Sequence, residues 1–239
     1  EYYVRDVGVG GSNPLTPTRF PQKGTVFGRC LFAFRRDHPM SLIIGLTGGI
    51  GAGKSTASAH LRASGLPVVD ADAISRALTG PGAAGSLAVA EAFGPEFLTP
   101  EGAMDRRRMR ELAFRDAGAL KRLEACLHPL IGAAVTREFE SLSASPIVIY
   151  DCPLLWRDDF RHPAVSRVLV IDASDDVRLS RIVSRPGLTE ETARLMMKAQ
   201  PPRSRILQCA DDLIVNEDDE AALRKRLDAL SRIWMAITR

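Results

Sequence analysis

From residue 41 onward, short apolar runs alternate with longer stretches in which apolar residues recur at helical spacing. Leu42 to Thr47, Leu66 to Val69, Pro146 to Tyr150, Arg167 to Asp172 and Leu213 to Val215 have the length and composition of buried strands. Helices are predicted over 55–64, 175–183 and 190–198. A last one follows the fifth strand, with Leu223, Leu227, Leu230, Trp234 and Ile237 on one face. Between the second and third strands, 73–139 reads as helical text broken at Gly80-Pro81-Gly82, at Gly94-Pro95 and over Thr99 to Gly102. Strands alternating with helices predict an α/β fold, a parallel sheet covered on both faces. The core is expected over 40–72 and 146–237, with an inserted helical segment at about 73–140.

The first 39 residues lack this order. Gly8, Gly10, Gly11, Pro14, Pro17, Pro21 and Gly24 punctuate them without any stable period. The apolar stretch Val26 to Phe34 is interrupted by Gly28 and Arg29, and it lacks the basic lead and cleavage site of a signal peptide. Met40 then opens a strand. The expectation is that Met40 is the initiator and that 1–39 is a disordered extension or a misassigned start. A native mass that begins near Glu1 contradicts it.

Composition excludes several classes of function. A formal net charge of +3 gives no basis for nucleic acid as the main partner, and no apolar run approaches the length of a membrane span. Four cysteines, at 30, 126, 152 and 209, form no CxxC pair, which argues against a zinc site and a disulfide framework.

The chemistry begins at Gly48-Gly49-Ile50-Gly51-Ala52-Gly53-Lys54-Ser55, a G-x-x-x-x-G-K-[ST] phosphate loop between a predicted strand and a predicted helix. Glycines let successive N–H groups face phosphate oxygens, Lys54 reaches the β- and γ-phosphates of ATP, and the Ser55 hydroxyl ligates Mg²⁺. The start of the following helix adds positive potential. Dinucleotide binding is excluded by the absence of G-x-G-x-x-G, and guanine recognition by the absence of N-K-x-D. Small-molecule kinases fit the length and also need an arginine-bearing lid. Arg178, Arg181 and Arg185, at i, i+3 and i+7, supply candidates, with the lid expected over about 178–200. A solvated basic helix face is the alternative. Asp151 closes an apolar run in the manner of a Walker B carboxylate, which meets Mg²⁺ through water.

Five segments, in order, resemble the dephospho-CoA kinase family over roughly residues 40 to 235. They are Leu46 to Thr56; Val69-Asp70-Ala71-Asp72-Ala73-Ile74-Ser75-Arg76; Met104-Asp105-Arg106 with Phe114, Leu123-Glu124 and His128-Pro129-Leu130-Ile131; Asp151-Cys152-Pro153-Leu154-Leu155; and Gln200 with Ala210 to Asn216. The resemblance implies a P-loop three-layer α/β/α sandwich that phosphorylates the 3′-hydroxyl of dephospho-CoA with ATP and Mg²⁺, the last step of coenzyme A synthesis. It implies a cytoplasmic enzyme acting on a small molecule, expected as a monomer with no nucleic-acid or membrane partner. ATP is expected on Gly49, Ile50, Gly51, Ala52, Gly53, Lys54, Ser55 and Thr56, with Asn216 near the adenine. Asp72 is implied as general base or hydroxyl-orienting carboxylate, beside Lys54, Arg181 and Arg185. Helix capping at Ala73 is the other reading of Asp72, while Asp70 reads as structural. Arg76, Arg106 and His128 are implied on the coenzyme half, whose pyrophosphate suits arginine forks. For Arg106 the alternative is surface charge, and for His128 a helix end. The chain departs from the family at Trp156-Arg157, where an acid is expected after the leucine pair; Asp158 or Asp159 is the candidate replacement. Two rivals remain: another small-molecule kinase, and a regulator that binds nucleotide without turnover.

Overall fold

The computed structural model describes residues 41–157 and 160–238. The proposed start at Met40, the segment before it, and the Asp158 and Asp159 candidates lie outside the described residues. The elements run β1 (Leu42–Gly48), α1 (Lys54–Ala63), β2 (Val68–Asp70), α2 (Ala71–Leu78), α3 (Ala84–Phe93), α4 (Arg106–Arg115), α5 (Ala117–Ser141), β3 (Ile147–Asp151), β4 (Val165–Asp172), α6 (Asp175–Val183), α7 (Glu190–Lys198), α8 (Arg203–Leu207), β5 (Asp212–Val215) and α9 (Glu220–Ile237). A 3₁₀ turn spans Pro95–Phe97. All five strand assignments hold to within two residues of the sequence pattern.

The sheet has the order β2-β3-β1-β4-β5, and every pairing is parallel. The chain leaves β1 toward the β2–β3 flank, and β3 then leads to β4 on the opposite flank. Such a reversal opens a crevice at the carboxyl end of the central strand. Residues 49–53 lie there, directly after β1.

Alternate residues of the central strands feed two layers. Ile44 and Leu46 of β1, Ile147 and Ile149 of β3, and Leu169 and Ile171 of β4 pack with Leu61 of α1 and Leu223, Leu227 and Trp234 of α9. On the other face, Ile43, Val148, Tyr150, Val168 and Val170 meet Val135 and Phe139 of α5 and Ile206 of α8. Leu155 completes this layer: it fills the space over Gly45, where a Cβ would stand 2.5 Å from its Cδ1. A separate cluster of Val89, Met104, Met109, Leu123 and Leu127 holds the inserted helices together.

Short polar side chains start most helices. Asp105, Asp116, Thr189 and Asp219 each accept a backbone N–H of the turn they open. The cap at Asp116 separates α4 from α5 with neither glycine nor proline. That is why the break is hidden in a pattern read for those two residues. α5 continues through Pro129, so His128 sits mid-helix; the expectation that it marks a helix end is corrected. The edge strand is fastened at Asp212. Its carboxylate accepts Arg167 Nε at 3.0 Å, Arg167 Nη2 at 2.9 Å and Trp234 Nε1 at 3.1 Å. Burial alone raises this carboxyl, but the Arg167 and Trp234 bonds outweigh it and hold Asp212 below its usual range.

Candidate active site

The phosphate loop turns on two glycines in left-handed backbone, Gly51 at φ 78° and Gly53 at φ 105°. Gly53 is also the residue from which α1 starts. A Cβ there would lie 2.4 Å from Asn216 Nδ2. Asn216 stands just past β5, is buried, and donates that Nδ2–H to the carbonyl of Ala52 at 2.8 Å. The structure therefore puts its side chain under the loop, and its backbone N–H donates to the carbonyl of Asp172 at 2.7 Å. Ser55 is exposed on the first turn of α1, and Thr56 is half-buried beside it.

Lys54 and Asp151 meet. Lys54 Nζ lies 2.5 Å from Asp151 Oδ1 at the carboxyl end of β3. Asp151 is buried, and an unpaired carboxylate there would be costly. In the sheet register Asp151 faces Leu46 on one side and Asp70 on the other. Two carboxylates thus share one edge with the loop.

Asp70 rather than Asp72 caps α2, its Oδ1 accepting the Ala73 N–H at 2.9 Å. Asp72 is left in the first turn, half-buried, with its carboxylate uncommitted to the cap. Its charge is felt at the end of β3. Burial pushes the Cys152 thiol up to about 11, and Asp72 adds to the rise. Burial, the Cys152 group and Asp72 raise Tyr150 likewise. Cys152 is therefore an inert thiol in the wall of the site. Cys126, Cys152 and Cys209 are all free.

The three arginines of the expected lid do not share a face. Arg178 is buried behind the phosphate loop, its Nε donating to the carbonyl of Ile50 at 2.9 Å. Arg181 donates to the carbonyls of Asn216 and Asp218, each at 2.9 Å. Arg185 falls outside the helix, because α6 ends at Val183 and Ser184 is its C-cap. Helical spacing overestimates the alignment where the helix stops early. Arg185 is exposed and makes no side-chain hydrogen bond or ion pair among the described residues. Gln200, part of a motif but given no role from sequence, accepts the Ile50 N–H at 2.8 Å. No sequence signal short of this contact reveals it.

Arg76 lies in the last turn of α2, and Arg106, the first residue of α4, reaches the end of that helix. Arg76 is 3.9 Å from Asp70 Oδ2, and Arg106 Nη2 donates to Thr79 Oγ1 at 2.5 Å. Thr79 is the C-cap of α2. His128 presents its ring at 4.1 Å to Phe160, edge to face. Arg157, at the position expected to be acidic, pairs with Glu124 of α5 at 3.0 Å and covers the Phe160 ring at 4.2 Å. The base at 157 thus meets an acid from α5 and ties the loop after β3 to that helix.

The described residues contain no group of three or more His, Cys, Asp or Glu side chains placed to hold a metal ion unaided. The oxygen donors present, Ser55 and Asp151, are hard ligands. That fits Mg²⁺ carried mainly on nucleotide phosphates, since this ion is seldom held in an all-protein cage.

A family model described as dephospho-CoA kinase matches residues 42–221. Curated relatives include the dephospho-CoA kinase of Nitrosospira multiformis, 42% identical over 196 residues, 82% of this chain and 98% of that one. The dephospho-CoA kinase of Chromobacterium violaceum is 40% identical over 194 residues, 81% of this chain and 95% of that one. Among solved structures, TT1252 from Thermus thermophilus superposes with a TM-score of 0.68 at 31% identity, covering 81% of this chain and 98% of its own. Dephospho-CoA kinase from Campylobacter jejuni does so with a TM-score of 0.57 at 25% identity, covering 82% and 98%.

Proposed function

The chain belongs to the dephospho-CoA kinase family, and from that premise we infer what its own residues do in the reaction. The reaction is transfer of the γ-phosphoryl group of ATP to the 3′-hydroxyl of dephospho-CoA, giving coenzyme A and ADP. The observation that supports the assignment of roles is the Lys54–Asp151 contact at the end of β3, one strand away from the Asp72 segment.

The backbone from Gly49 to Thr56 cradles the phosphates, and Lys54 neutralises charge on the β- and γ-oxygens as the bond to the leaving group lengthens. Lys54 is held by Asp151 at 2.5 Å and exchanges part of that contact for phosphate. Mg²⁺ would be held by Ser55 and, through water, by Asp151, and it supplies charge neutralisation on the phosphates. Asp72 accepts the proton of the attacking 3′-hydroxyl, or orients that hydroxyl in line with the γ-phosphorus. Of the lid arginines, Arg185 is available to the transferring group without breaking a contact, whereas Arg181 must give up two backbone acceptors. Asn216 borders the adenine from beneath the loop, where its side chain holds the Ala52 carbonyl. Arg76, Arg106 and His128 line the coenzyme side. The acceptor is a small molecule, and we propose a cytoplasmic monomer with no nucleic-acid or membrane partner; no described helix is long and apolar enough to cross a membrane.

The test is ADP release by the purified chain with ATP and Mg²⁺, offering dephospho-CoA beside adenosine, CMP and shikimate. Turnover with dephospho-CoA alone is expected. Asp72→Asn should lower kcat by about 10² to 10⁴, the range for a positioned general base, while ADP binding persists. Turnover of another acceptor instead would discard the assignment, and an unchanged kcat in Asp72→Asn would remove that residue from its role.

A further inference from the structure

The Ile50 segment of the phosphate loop is gripped from outside the loop on both of its peptide groups. Its N–H donates to Gln200 Oε1 at 2.8 Å, and its C=O accepts Arg178 Nε at 2.9 Å. The two holders are themselves joined, with Arg178 Nη2 donating to the same Gln200 oxygen at 2.7 Å. Arg178 Nη1 reaches Asp175 Oδ1 at 3.0 Å. Each guanidinium nitrogen therefore has an acceptor, which a side chain only 6% exposed requires. Arg178 also fits closely against the loop. A Cβ on Gly49 would stand 2.9 Å from Arg178 Cζ, and one on Gly51 would stand 2.6 Å from the Arg178 carbonyl oxygen. Gly49 thus leaves room for the Arg178 side chain behind the loop, and Gly51 for the backbone of the same residue.

The geometry of the peptide unit gives this grip a consequence. The Ile50–Gly51 peptide is trans, so its C=O and N–H point in opposite directions. Drawing the Ile50 carbonyl toward α6 turns the Gly51 N–H to the opposite side of the loop. Gly51 itself cannot enforce this. With φ at 78° it is free of the steric limits that fix other residues, and the peptide before it can turn over at small cost. Neighbouring amides are committed elsewhere: Ala52 N–H donates to Gly49 O at 3.0 Å, and Ile50 N–H belongs to Gln200.

We propose that Arg178, together with Gln200, is a positioning residue that holds the Gly51 N–H toward the nucleotide β-phosphate without touching the nucleotide. This rests on the phosphate-loop reading above. It gives Arg178 a role different from that of a lid arginine, and it gives Gln200 a role in ATP binding. The connection between α7 and α8 carries Gln200, so it is linked to the loop through the same oxygen.

The experiment follows the amide of Gly51 by ¹H–¹⁵N spectroscopy in the full chain during titration with ADP, alongside calorimetry and steady-state kinetics. In the parent protein the Gly51 resonance is expected to move strongly on ADP addition. In Arg178→Met that response is lost and ADP binds about 10- to 100-fold more weakly, the size of one or two charge-assisted hydrogen bonds acting through the loop. The KM for dephospho-CoA stays within about twofold of the parent, which a general loss of structure would not permit. Arg178→Lys keeps the charge but cannot span three acceptors, so it should behave like Arg178→Met. Gln200→Ala, at a half-exposed site, gives a smaller loss in the same direction and carries the test if Arg178→Met does not fold. The double variant loses no more than Arg178→Met alone, since both act through one peptide. A parent-like Gly51 response in Arg178→Met overturns the proposal, as does full recovery of ADP affinity in Arg178→Lys, which would assign the effect to charge alone. Because ADP is the probe, binding of ADP without turnover of dephospho-CoA would sink the function proposed above and leave this test readable.

Discussion

The phosphate loop and the inserted helices are held in place by opposite means. Around the loop, polar side chains hold backbone groups at fixed distances, Asn216 under Ala52 and Arg178 and Gln200 on Ile50, and Asp151 holds the Lys54 side chain. Asp151 and Asn216 come from the ends of strands, Arg178 from α6, and Gln200 from the connection between α7 and α8. The inserted helices depend instead on a small apolar cluster of their own and on arginines at the surface. Arg76 is 57% exposed on its side chain, and its partner Asp70 is 3.9 Å away. The contrast teaches that the loop side is built in advance, while the inserted helices, proposed above to take the acceptor, keep long cationic side chains exposed.

Three changes test that contrast, the most damaging first. Gly53→Ala forces a Cβ onto a residue at φ 105° and to within 2.4 Å of Asn216 Nδ2. It should weaken ADP binding by about 100-fold or more and lower stability by about 1–3 kcal/mol, as expected for a strained left-handed residue. Calorimetry with ADP and denaturant unfolding measure both, and near-parent ADP affinity would mean that the loop is not rigid. Arg106→Ala should have a smaller and one-sided effect. The KM for dephospho-CoA rises about 10-fold, as for loss of one charge-assisted contact, while the KM for ATP is unchanged. An equal rise in both would erase the distinction between the halves.

The mildest effect concerns the seam between them. His162 joins α5 to the start of β4: Ala164 N–H donates to its Nδ1 at 3.2 Å, and its Nε2 lies 3.0 Å from Thr136 Oγ1. Nδ1 is thus an acceptor and Nε2 carries the proton, and burial lowers the pKa of this ring below 6.5. The folded chain then binds a proton at lower pH than the unfolded chain does. His162 contributes stability that is complete above about pH 6.5 and is lost as pH falls toward the lower folded value. Urea midpoints from pH 8 to 5 should decline in the parent and flatten over that window in His162→Phe; parallel curves would remove His162 from the seam.

The sequence made the strand pattern and the phosphate loop plain, because burial on both faces and tight glycine turns leave little freedom in residue type. The contact of Lys54 with Asp151 also follows from two motifs at the ends of adjacent strands. Other features turn on single side chains that periodicity does not register. The Asp116 cap divides a helical stretch, Asp70 takes the cap that the sequence offers as the alternative reading of Asp72, and α8 is too short, at five residues, to show a period. Arg178 and Arg185 look equivalent on a helical wheel, yet one is buried behind the loop and the other lies past the end of α6. The base at Arg157 is intelligible only once Glu124 is known to face it.

The strand order carries a consequence for how the chain assembles as it is made. Among the described strands β1 is the first synthesised and the middle one of the sheet, yet its two neighbours are β3 and β4, about a hundred residues later. Until residues 147–172 exist, its backbone groups have no strand to pair with, and the two large apolar layers lack most of their members. The cluster of Val89, Met104, Met109, Leu123 and Leu127 is complete before any of that. The small core that supports the acceptor side is therefore the first of the three that synthesis can close, and the loop that binds the donor waits for the sheet.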